Sequence, residues 1–351
     1  MTYARPADRA GALRLHLNEN TGGCSQAVIA AIGRISAEEI AFYPDYAALN
    51  RECAAYLDVS ESELVLTNGL DEGLLALTVS AFRLSHTTTG LYPNPEAIIP
   101  APAFEMYSVF VKAAGGTVVS VSPGSNLEPP VEAICHAISD RTRIIFLTNP
   151  NNPTGQLIPA EAIREIARRA PPESTVVIDE AYYDFCGETF LGDVAAHPNV
   201  VIGRTFAKAH GLAGLRAGCI IGNPRRISAA REVVPPYSLS IFAVAGWRAA
   251  LQDRAHLEWY RAQVSESRLL LYAACERLAL PYWKSAGNFV LINVDRLGGP
   301  APVVEALAER GVLVRDRSRD PGCAGCIRIT AGVVRHTETA VKALEVVCAV
   351  P

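Results

Sequence analysis

The middle of the chain alternates short, uninterrupted apolar runs with longer amphipathic segments. The apolar runs are rich in Val and Ile and are bounded by Gly, Pro or Asn, which predicts buried strands. These six strands are expected at residues 97–100, 117–121, 143–147, 176–178, 200–202 and 219–221. Helices are expected around and between them, at residues 69–82, 106–114, 131–138 and 159–169. The alternation is typical of an α/β domain whose mostly parallel sheet is flanked by helices on both faces.

The pattern changes after about Phe242, which predicts a second, smaller α+β domain. Long helices and then short strands with further helices are expected there, at residues 243–252, 257–278, 288–294, 303–309, 311–314, 326–330 and 336–347. A helix expected at residues 26–35 is assigned to pack against this smaller domain. The chain is therefore divided into an N-terminal segment that packs with the small domain, a large domain and a small C-terminal domain, at residues 1–40, 41–245 and 246–351.

Composition narrows the class of protein. The chain has 351 residues, a formal net charge of −4 and no long basic run, which excludes the electrostatic footprint of a nucleic-acid-binding or anionic-membrane-binding protein. No apolar stretch approaches the roughly 20 residues that cross a bilayer, and residues 1–13 carry charges without an apolar secretory core. Nine scattered Cys favour reduced thiols in the cytoplasm. The single Cys323 and Cys326 pair falls short of a zinc ligand set, so no metal is expected.

Polar side chains follow three of the predicted strands at the points where the strands end. Asn152, Asp179 and Lys208 come shortly after the third, fourth and fifth of these strands. Parallel strands end at the same edge of a sheet, where the ligands of open α/β sheets bind. We therefore expect the three side chains to meet in one site.

The residue types at this edge suit one cofactor. A lysine amine forms a Schiff base with an aldehyde, and an aspartate holds a pyridine nitrogen protonated. A tyrosine hydroxyl and an amide hydrogen-bond a phenolate oxygen, and an arginine with helix-start N–H groups holds a phosphate. The chain offers each of these groups, in Lys208, Asp179, Tyr182 with Asn152, Arg216 and the turn at residues 68–71. Together they predict a binding site for pyridoxal 5′-phosphate (PLP).

Three segments carry a resemblance to a known family. NPNNPTG at residues 149–155, DEAYYDF at 179–185 and TFAKAHGLAGLRAG at 205–218 resemble fold-type I PLP-dependent aminotransferases, and above all the histidinol-phosphate aminotransferase family. The eight positions from Lys208 to Arg216 match the family's spacing between its lysine and its phosphate-binding arginine. The likeness runs from LHLNEN near residue 15 to IRITAG near residue 327. It implies an aspartate aminotransferase-like fold, aminotransferase activity and a homodimer with shared active sites.

The resemblance also implies a role for each matching residue. Lys208 is similar to the lysine that forms the Schiff base and shuttles a proton, Asp179 to the partner of the pyridine nitrogen, and Tyr182 to a ligand of the ring oxygen. These three are the implied catalytic residues. The implied cofactor-binding set adds Gly69, Leu70, Asp71, Phe104, Asn152, Thr205, Arg216 and Tyr43, which is similar to the tyrosine that reaches the phosphate in the other subunit. The implied substrate-binding residues are Arg328, for the α-carboxylate, and Asn18 and Asn20.

Ordinary structural interpretations stand beside some of these roles. Asp179 can cap a following helix, and the Asn-Pro-Thr-Gly run can form a simple turn. Phe104 can be a core aromatic residue, and Tyr46 can take the place of Tyr43 between subunits.

Two positions depart from the family's pattern and leave the substrate open. Ala207 stands where the family has Ser, and Thr21-Gly22-Gly23 stands where a Pro is usual. The expected amino donor is histidinol-phosphate-like, aromatic or another amino acid, with a 2-oxo acid as acceptor. A PLP-dependent decarboxylase, eliminase or cyclising enzyme of specialised metabolism would keep the same residues, and remains the alternative.

Overall fold

The structure, a computed structural model, describes residues 9–88 and 94–349, so residues 1–8 of the predicted N-terminal segment lie outside the described residues. The strands are β1 (Leu13–Arg14), β2 (Leu64–Asn68), β3 (Glu96–Pro100), β4 (Thr117–Val121), β5 (Thr142–Thr148), β6 (Thr175–Asp179), β7 (Val200–Thr205), β8 (Ala217–Gly222), β9 (Tyr282–Trp283), β10 (Phe289–Asn293), β11 (Val312–Leu313), β12 (Arg315–Asp316) and β13 (Cys326–Thr330). The helices are α1 (Gln26–Ile32), α2 (Ala37–Ala41), α3 (Ala47–Leu57), α4 (Gly69–Thr88), α5 (Met106–Ala113), α6 (Val131–Ala137), α7 (Ala160–Arg169), α8 (Pro224–Arg231), α9 (Ile241–Gln252), α10 (Arg254–Arg277), α11 (Pro300–Glu309) and α12 (Val334–Ala349).

A seven-stranded sheet forms the centre of the larger domain, in the order β2-β8-β7-β6-β5-β3-β4. Neighbouring strands from β4 through β3, β5 and β6 to β7 are parallel. β8 is antiparallel to both of its neighbours, β7 and β2. The six predicted strands are confirmed as β3 to β8, and β2 is a seventh strand without a sequence prediction. The predicted α/β fold with a mostly parallel sheet is confirmed.

Helices cover both faces of this sheet because successive side chains of a strand point to opposite sides. Ile145 and Ile178 pack on the side covered by α3, α6, α7 and α9. Ile144 and Val177 pack on the other side, under α4, α5 and α8. All seven residues of β5 are therefore buried, which explains why the sequence shows a continuous apolar run there rather than an alternation.

The covering helices are amphipathic. In α7, Ile163, Ile166 and Ala167 are buried on one side of the helix. Arg168 and Arg169 are exposed in its last turn, where positive charge interacts favourably with the C-terminal end of a helix. The same spacing of apolar and charged positions predicts this helix from the sequence.

The smaller domain is built on a four-stranded antiparallel sheet in the order β12-β13-β10-β9. α10, α11 and α12 pack on it, and their apolar side chains share a core with Ile292 and Ile329. β1 pairs in parallel with β11, which brings Leu15 into the same core. Within the described ranges, no helix combines the length and the apolar character needed to cross a membrane.

The packing of α1 differs from the sequence prediction. α1 packs against α9 and places Val28 in the core of the larger domain, not of the smaller one. Gly246 permits this approach, because a Cβ there would lie 3.3 Å from Val28 and would overlap Leu215. Trp247 of α9 is fully buried in the same core. Because a helix anchored in one core belongs to that core, we propose a boundary at Asp253, between α9 and α10, instead of residue 245.

Candidate active site

A cavity of about 500 Å³ lies at the carboxyl ends of the central strands, between the two domains. Five predicted site residues line it from the larger domain, namely Phe104, Asn152, Tyr182, Lys208 and Arg216. Two more line it from the N-terminal segment and the smaller domain, namely Asn18 and Arg328. The cavity is thus closed by elements that are distant in the sequence.

Lys208 follows β7, which ends at Thr205. The Thr205 hydroxyl accepts a hydrogen bond from the N–H of Ala207 at 3.2 Å, and the Lys208 amine donates to the carbonyl of Leu17 at 3.1 Å. Burial lowers the pKa of Lys208 to about 8, and the positive charge of Arg328 adds to this effect. At neutral pH the amine is therefore neutral far more often than an exposed lysine, and a neutral amine can attack a carbonyl or accept a proton.

Asp179 is the last residue of β6 and is buried. Its Oδ1 accepts the N–H of Ala181 at 3.0 Å, and its Oδ2 accepts the hydroxyl of Tyr107 at 2.5 Å. Burial raises the pKa of Asp179 to about 6, and the two hydrogen bonds act in the opposite direction. Both donors are neutral groups, which leaves the carboxylate able to pair with a cation that a ligand brings.

Tyr182 and Asn152 connect the predicted cofactor contacts with the predicted substrate contacts. The Tyr182 hydroxyl accepts a hydrogen bond from Nδ2 of Asn18 at 3.0 Å, and burial raises the pKa of Tyr182. Oδ1 of Asn152 accepts a hydrogen bond from Nη1 of Arg328 at 2.5 Å. Each predicted substrate residue in the cavity therefore touches a predicted cofactor residue.

The predicted phosphate ligands meet where α4 begins. Gly69 has a φ of 75° and donates its N–H to the carbonyl of Arg216 at 2.7 Å. A Cβ at Gly69 would overlap the Arg216 guanidinium, whose Cζ would be 2.9 Å away, and a Cβ at Gly218 would lie 2.5 Å from the nitrogen of Leu70. Nη2 of Arg216 donates to Asp71 at 2.9 Å. Helix-start N–H groups and a guanidinium thus converge, which is a donor set for a phosphate group.

Arg328 belongs to a cluster that contains two arginines without a sequence prediction. β12 places Arg315 directly opposite Arg328 of β13, Arg317 follows two positions later, and all three line the cavity. Nη2 of Arg328 donates to the carbonyl of His16 at 2.8 Å, whereas its buried Nε has no hydrogen-bond partner in the described part of the chain. Burial, helped by the charge of Arg317, lowers the pKa of Arg328 to about 9. The Arg-Asp-Arg run at residues 315–317 could have indicated this cluster from the sequence, because residues two apart in an extended segment point to the same side.

Seven predicted residues do not line this cavity. Five of them, Gly69, Leu70, Asp71, Asp179 and Thr205, are described above, and the other two are Asn20 and Tyr43. Asn20 donates to the carbonyl of Ala209 at 2.9 Å and accepts the N–H of Gly22 at 2.8 Å, so its amide stabilises the local backbone. Tyr43 is 76% exposed and stacks on Tyr237, with ring centroids 4.2 Å apart. Their roles at the site stay predictions, and Tyr43 lies on a surface that a second subunit can contact.

Two further polar residues, Tyr107 and Thr148, lie next to Asp179. Phe104, which lines the cavity, contacts Tyr107 edge-on with ring centroids 5.6 Å apart. The Tyr107 hydroxyl lies 2.8 Å from the hydroxyl of Thr148, in addition to its contact with Asp179. Tyr107 and Thr148 have no sequence prediction, because their contacts join α5, β5 and β6, which are separated in the chain.

These contacts fit PLP. The two neutral donors on Asp179 leave its charge available to a protonated ring nitrogen, and the contact of Gly69 with Arg216 offers an anion site for the cofactor phosphate. The unpartnered Nε of Arg328 offers a donor to a substrate anion. The site can therefore hold two anions and a cationic ring, with a proton-accepting amine in the same cavity.

Comparison with known proteins agrees with this chemistry. A sequence model of the family described as aminotransferase class I and II matches residues 11–345. A histidinol-phosphate aminotransferase of Moorella thermoacetica is 33% identical over 344 residues, 96% of this chain and 86% of that protein. One of Symbiobacterium thermophilum is 34% identical over 337 residues, 95% of this chain and 90% of that protein. The crystal structure of histidinol-phosphate aminotransferase from Sinorhizobium meliloti in complex with pyridoxal-5′-phosphate superimposes with a TM-score of 0.84 and 26% identity, covering 97% of this chain and 91% of that one.

Proposed function

Because the chain belongs to the family of class I and II aminotransferases, we propose that its amino donor is histidinol phosphate and that a 2-oxo acid accepts the amino group. The enzyme is a PLP-dependent aminotransferase. The proposal that histidinol phosphate is the donor is more specific than the aminotransferase activity, and the observation that supports it is the cluster of arginines around Arg328.

The site residues divide the work of holding the cofactor. When bound, PLP supplies a ring that takes up the electron pair left on the substrate carbon after a proton leaves. Asp179 holds the ring nitrogen in its protonated form, and Tyr182 with Asn152 hydrogen-bonds the ring oxygen. The start of α4 and Arg216 hold the phosphate, with Thr205 beside them and Phe104 against the ring.

Lys208 is assigned the proton transfers. Its buried amine, with a pKa lowered to about 8, would accept the proton from the substrate carbon at Nζ and would give it back from the resulting ammonium group. An efficient general base has a pKa near the working pH. The burial that lowers the pKa of Lys208 therefore serves the reaction directly, and the hydrogen bond to Leu17 directs the amine into the cavity.

The arginine cluster supports a doubly charged donor. Guanidinium groups of Arg315, Arg317 and Arg328 line the cavity that contains Lys208. Glu105 lies 3.4 Å from Arg315 and 3.5 Å from Arg317, and Asp320 also pairs with Arg317, so two carboxylates balance part of this charge. Arginine forms paired hydrogen bonds with phosphate and carboxylate groups alike. The cluster therefore suits the phosphate of histidinol phosphate in one half-reaction and the carboxylate of a 2-oxo acid in the other.

The alternative reactions on the same residues are not favoured. The relatives reported above are aminotransferases rather than decarboxylases, eliminases or cyclising enzymes. Histidinol phosphate also carries no carboxyl group, so this donor has no carbon dioxide to release.

We also propose that the enzyme is a cytoplasmic homodimer with shared active sites. Ile40, Phe42, Tyr43 and Tyr237 are exposed large apolar side chains, and the rings of Tyr43 and Tyr237 stack. Exposed aromatic groups of this kind are typical of protein interfaces, and in a dimer Tyr43 is expected to reach the phosphate in the other subunit. All nine cysteines are free thiols, as is usual in a reducing compartment.

The donor assignment is tested by comparing histidinol phosphate, histidinol and phenylalanine as amino donors. The first half-reaction is followed by the change in cofactor absorbance. We expect histidinol phosphate to have the highest kcat/KM. Replacing Arg315→Gln is expected to lower that value about 10- to 100-fold, the effect of one charge-assisted hydrogen bond, and to leave the value for histidinol nearly unchanged.

Arg310→Gln is the matched control, because Arg310 is an exposed arginine of the same domain that does not line the cavity. It is expected to change neither value. If wild-type enzyme prefers phenylalanine, or if Arg315→Gln lowers both donors equally, the proposal is wrong.

A further inference from the structure

The hydroxyl of Tyr107 lies between two polar groups inside the larger domain. It is 2.5 Å from Oδ2 of Asp179 and 2.8 Å from Oγ1 of Thr148. Tyr107 has no exposed surface, so water does not compete for these contacts. Thr148 and Asp179 are themselves neighbours, because β5 and β6 pair at these two residues.

The direction of these hydrogen bonds follows from the inventory of protons. An ionised carboxylate has no proton to donate, so the hydroxyl of Tyr107 must donate to Asp179. A tyrosine hydroxyl has a single proton, so the hydroxyl of Thr148 must in turn donate to the oxygen of Tyr107. The three residues form a chain in which each hydrogen bond polarises the next, and the chain ends on the carboxylate.

We propose that Tyr107 is a positioning residue of the reaction, whose hydroxyl holds the Asp179 carboxylate charged and oriented toward the ring nitrogen of the cofactor. The inference rests on the role of Asp179 in the proposed function and adds Tyr107 and Thr148 behind it.

Asp179 needs this help because its surroundings disfavour its charge. Burial, together with the like charges of Asp71 and Glu180, raises its pKa to about 6. The hydrogen bond from Tyr107 and the N–H of Ala181 lower it. Without the hydroxyl, Asp179 would keep one of its two donors, and its pKa would rise by about one to two pH units. The carboxylate would then be partly protonated at neutral pH and would hold the ring nitrogen less well.

The Tyr107 ring is fixed independently of its hydroxyl. It stacks on Phe146, with ring centroids 4.5 Å apart and planes 9° from parallel, and meets Phe104 edge-on. Tyr107→Phe therefore keeps the apolar packing and removes the hydroxyl alone. Thr148→Val removes the next donor in the chain and is expected to act in the same direction with a smaller effect.

The test is a binding titration with two cofactors, PLP and the analogue in which carbon replaces the ring nitrogen. For Tyr107→Phe we expect the Kd of PLP to rise about tenfold or more and the Kd of the carbon analogue to stay unchanged. The midpoint of the pH titration of the bound cofactor's absorbance is expected to move by about one pH unit. Tyr260→Phe is the matched control, since Tyr260 is also buried but hydrogen-bonds the backbone carbonyl of Glu19.

Each outcome decides the proposal. Selective loss of PLP affinity in Tyr107→Phe, with no such loss in Tyr260→Phe, supports it. Equal loss of both cofactors indicates a structural role and overturns it, as does unchanged affinity for both. No amino donor is present in the titration, so an error in the assigned donor leaves this result untouched. An error in the cofactor site itself would appear as wild-type enzyme that binds neither compound.

Discussion

The buried ion pair between Glu180 and Arg204 leads to a specific prediction about the stability of the fold. Glu180 follows Asp179, Arg204 precedes Thr205, and the side chains of the pair are 0% and 8% exposed. Oε2 of Glu180 lies 2.8 Å from Nε and 2.7 Å from Nη2 of Arg204. Arg204 also lies over the ring of Tyr183 at 3.5 Å. The change to test is Arg204→Met, which keeps an unbranched side chain on that ring and removes the cation.

We expect Arg204→Met to lower the free energy of unfolding by about 3 kcal/mol, because breaking a buried pair leaves an uncompensated charge that costs about 3–5 kcal/mol. The lower end is chosen because Glu180 keeps two other donors, the hydroxyl of Thr189 at 2.8 Å and the N–H of Phe190 at 2.7 Å. In the double variant Glu180→Gln with Arg204→Met no charge is left behind, so we expect a loss smaller than the sum of the single losses by about 2 kcal/mol.

The loss should also depend on pH. Burial raises the pKa of Glu180, and removing Arg204, whose charge lowers it, raises it further. A group with a higher pKa in the folded state than in the unfolded state binds more protons when folded, so its contribution to stability falls as pH rises. The deficit of Arg204→Met is therefore expected to be larger at pH 8 than at pH 5.

Urea unfolding followed by circular dichroism, at both pH values, measures these differences. Arg83→Met is the matched control, because Arg83 and its partner Glu232 are 58% and 62% exposed, and such surface pairs contribute about 0–1 kcal/mol. A loss below about 1 kcal/mol for Arg204→Met, or losses that add without coupling in the double variant, would refute the reasoning.

Three further outcomes follow from the site and the surface. The rate at which the cofactor aldehyde attaches to Lys208 is expected to rise about tenfold per pH unit below pH 7 and to level off above pH 9, since the pKa is lowered to about 8; stopped-flow absorbance measures this, and a rise that continues to pH 10 contradicts it. Gly69→Ala is expected to weaken cofactor binding at least tenfold, because a Cβ at a φ of 75° would displace Arg216; equilibrium dialysis of the cofactor measures it. Tyr43→Ala is expected to weaken the dimer, which sedimentation over a range of concentrations measures, and a wild-type monomer would exclude the shared site.

The helices and strands could be predicted where burial produces an uninterrupted pattern of apolar residues in the sequence. β5 is buried along its whole length, and its residues 144–147 form an unbroken apolar run. β12 has two residues, one half-buried and one exposed, and shows no such run. α3 buries Leu49, Cys53 and Leu57 at helical spacing, yet polar and charged neighbours interrupt the pattern. The partner of α1 could not be predicted, because an apolar helix face fits more than one core.

The candidate site, too, could be predicted from the sequence only in part. Lys208, Asp179, Tyr182 and Asn152 are each expected from their place after a strand, and Arg216 from its spacing to Lys208, together with the family resemblance. Four of the five line one cavity, while Asp179 is buried beside them in the sheet. Strand order alone brings such residues to one edge, since parallel strands end together. The residues around Asn20 and Tyr43 in the sequence match the family, but no local pattern shows which cavity or which subunit these two side chains contact.

The residue types and their positions after the strands were enough to identify the cofactor chemistry, because each reactive group is specified by a short stretch of neighbouring residues. The cluster of arginines around Arg328 and the hydrogen bonds that join Thr148, Tyr107 and Asp179 could be recognised only in the tertiary structure. Tyr107 and Asp179 are 72 positions apart, and Arg315 meets Arg328 through antiparallel pairing of β12 with β13. Such contacts depend on how helices and strands dock and on the water they exclude, and docking is a property of the whole core rather than of any single segment.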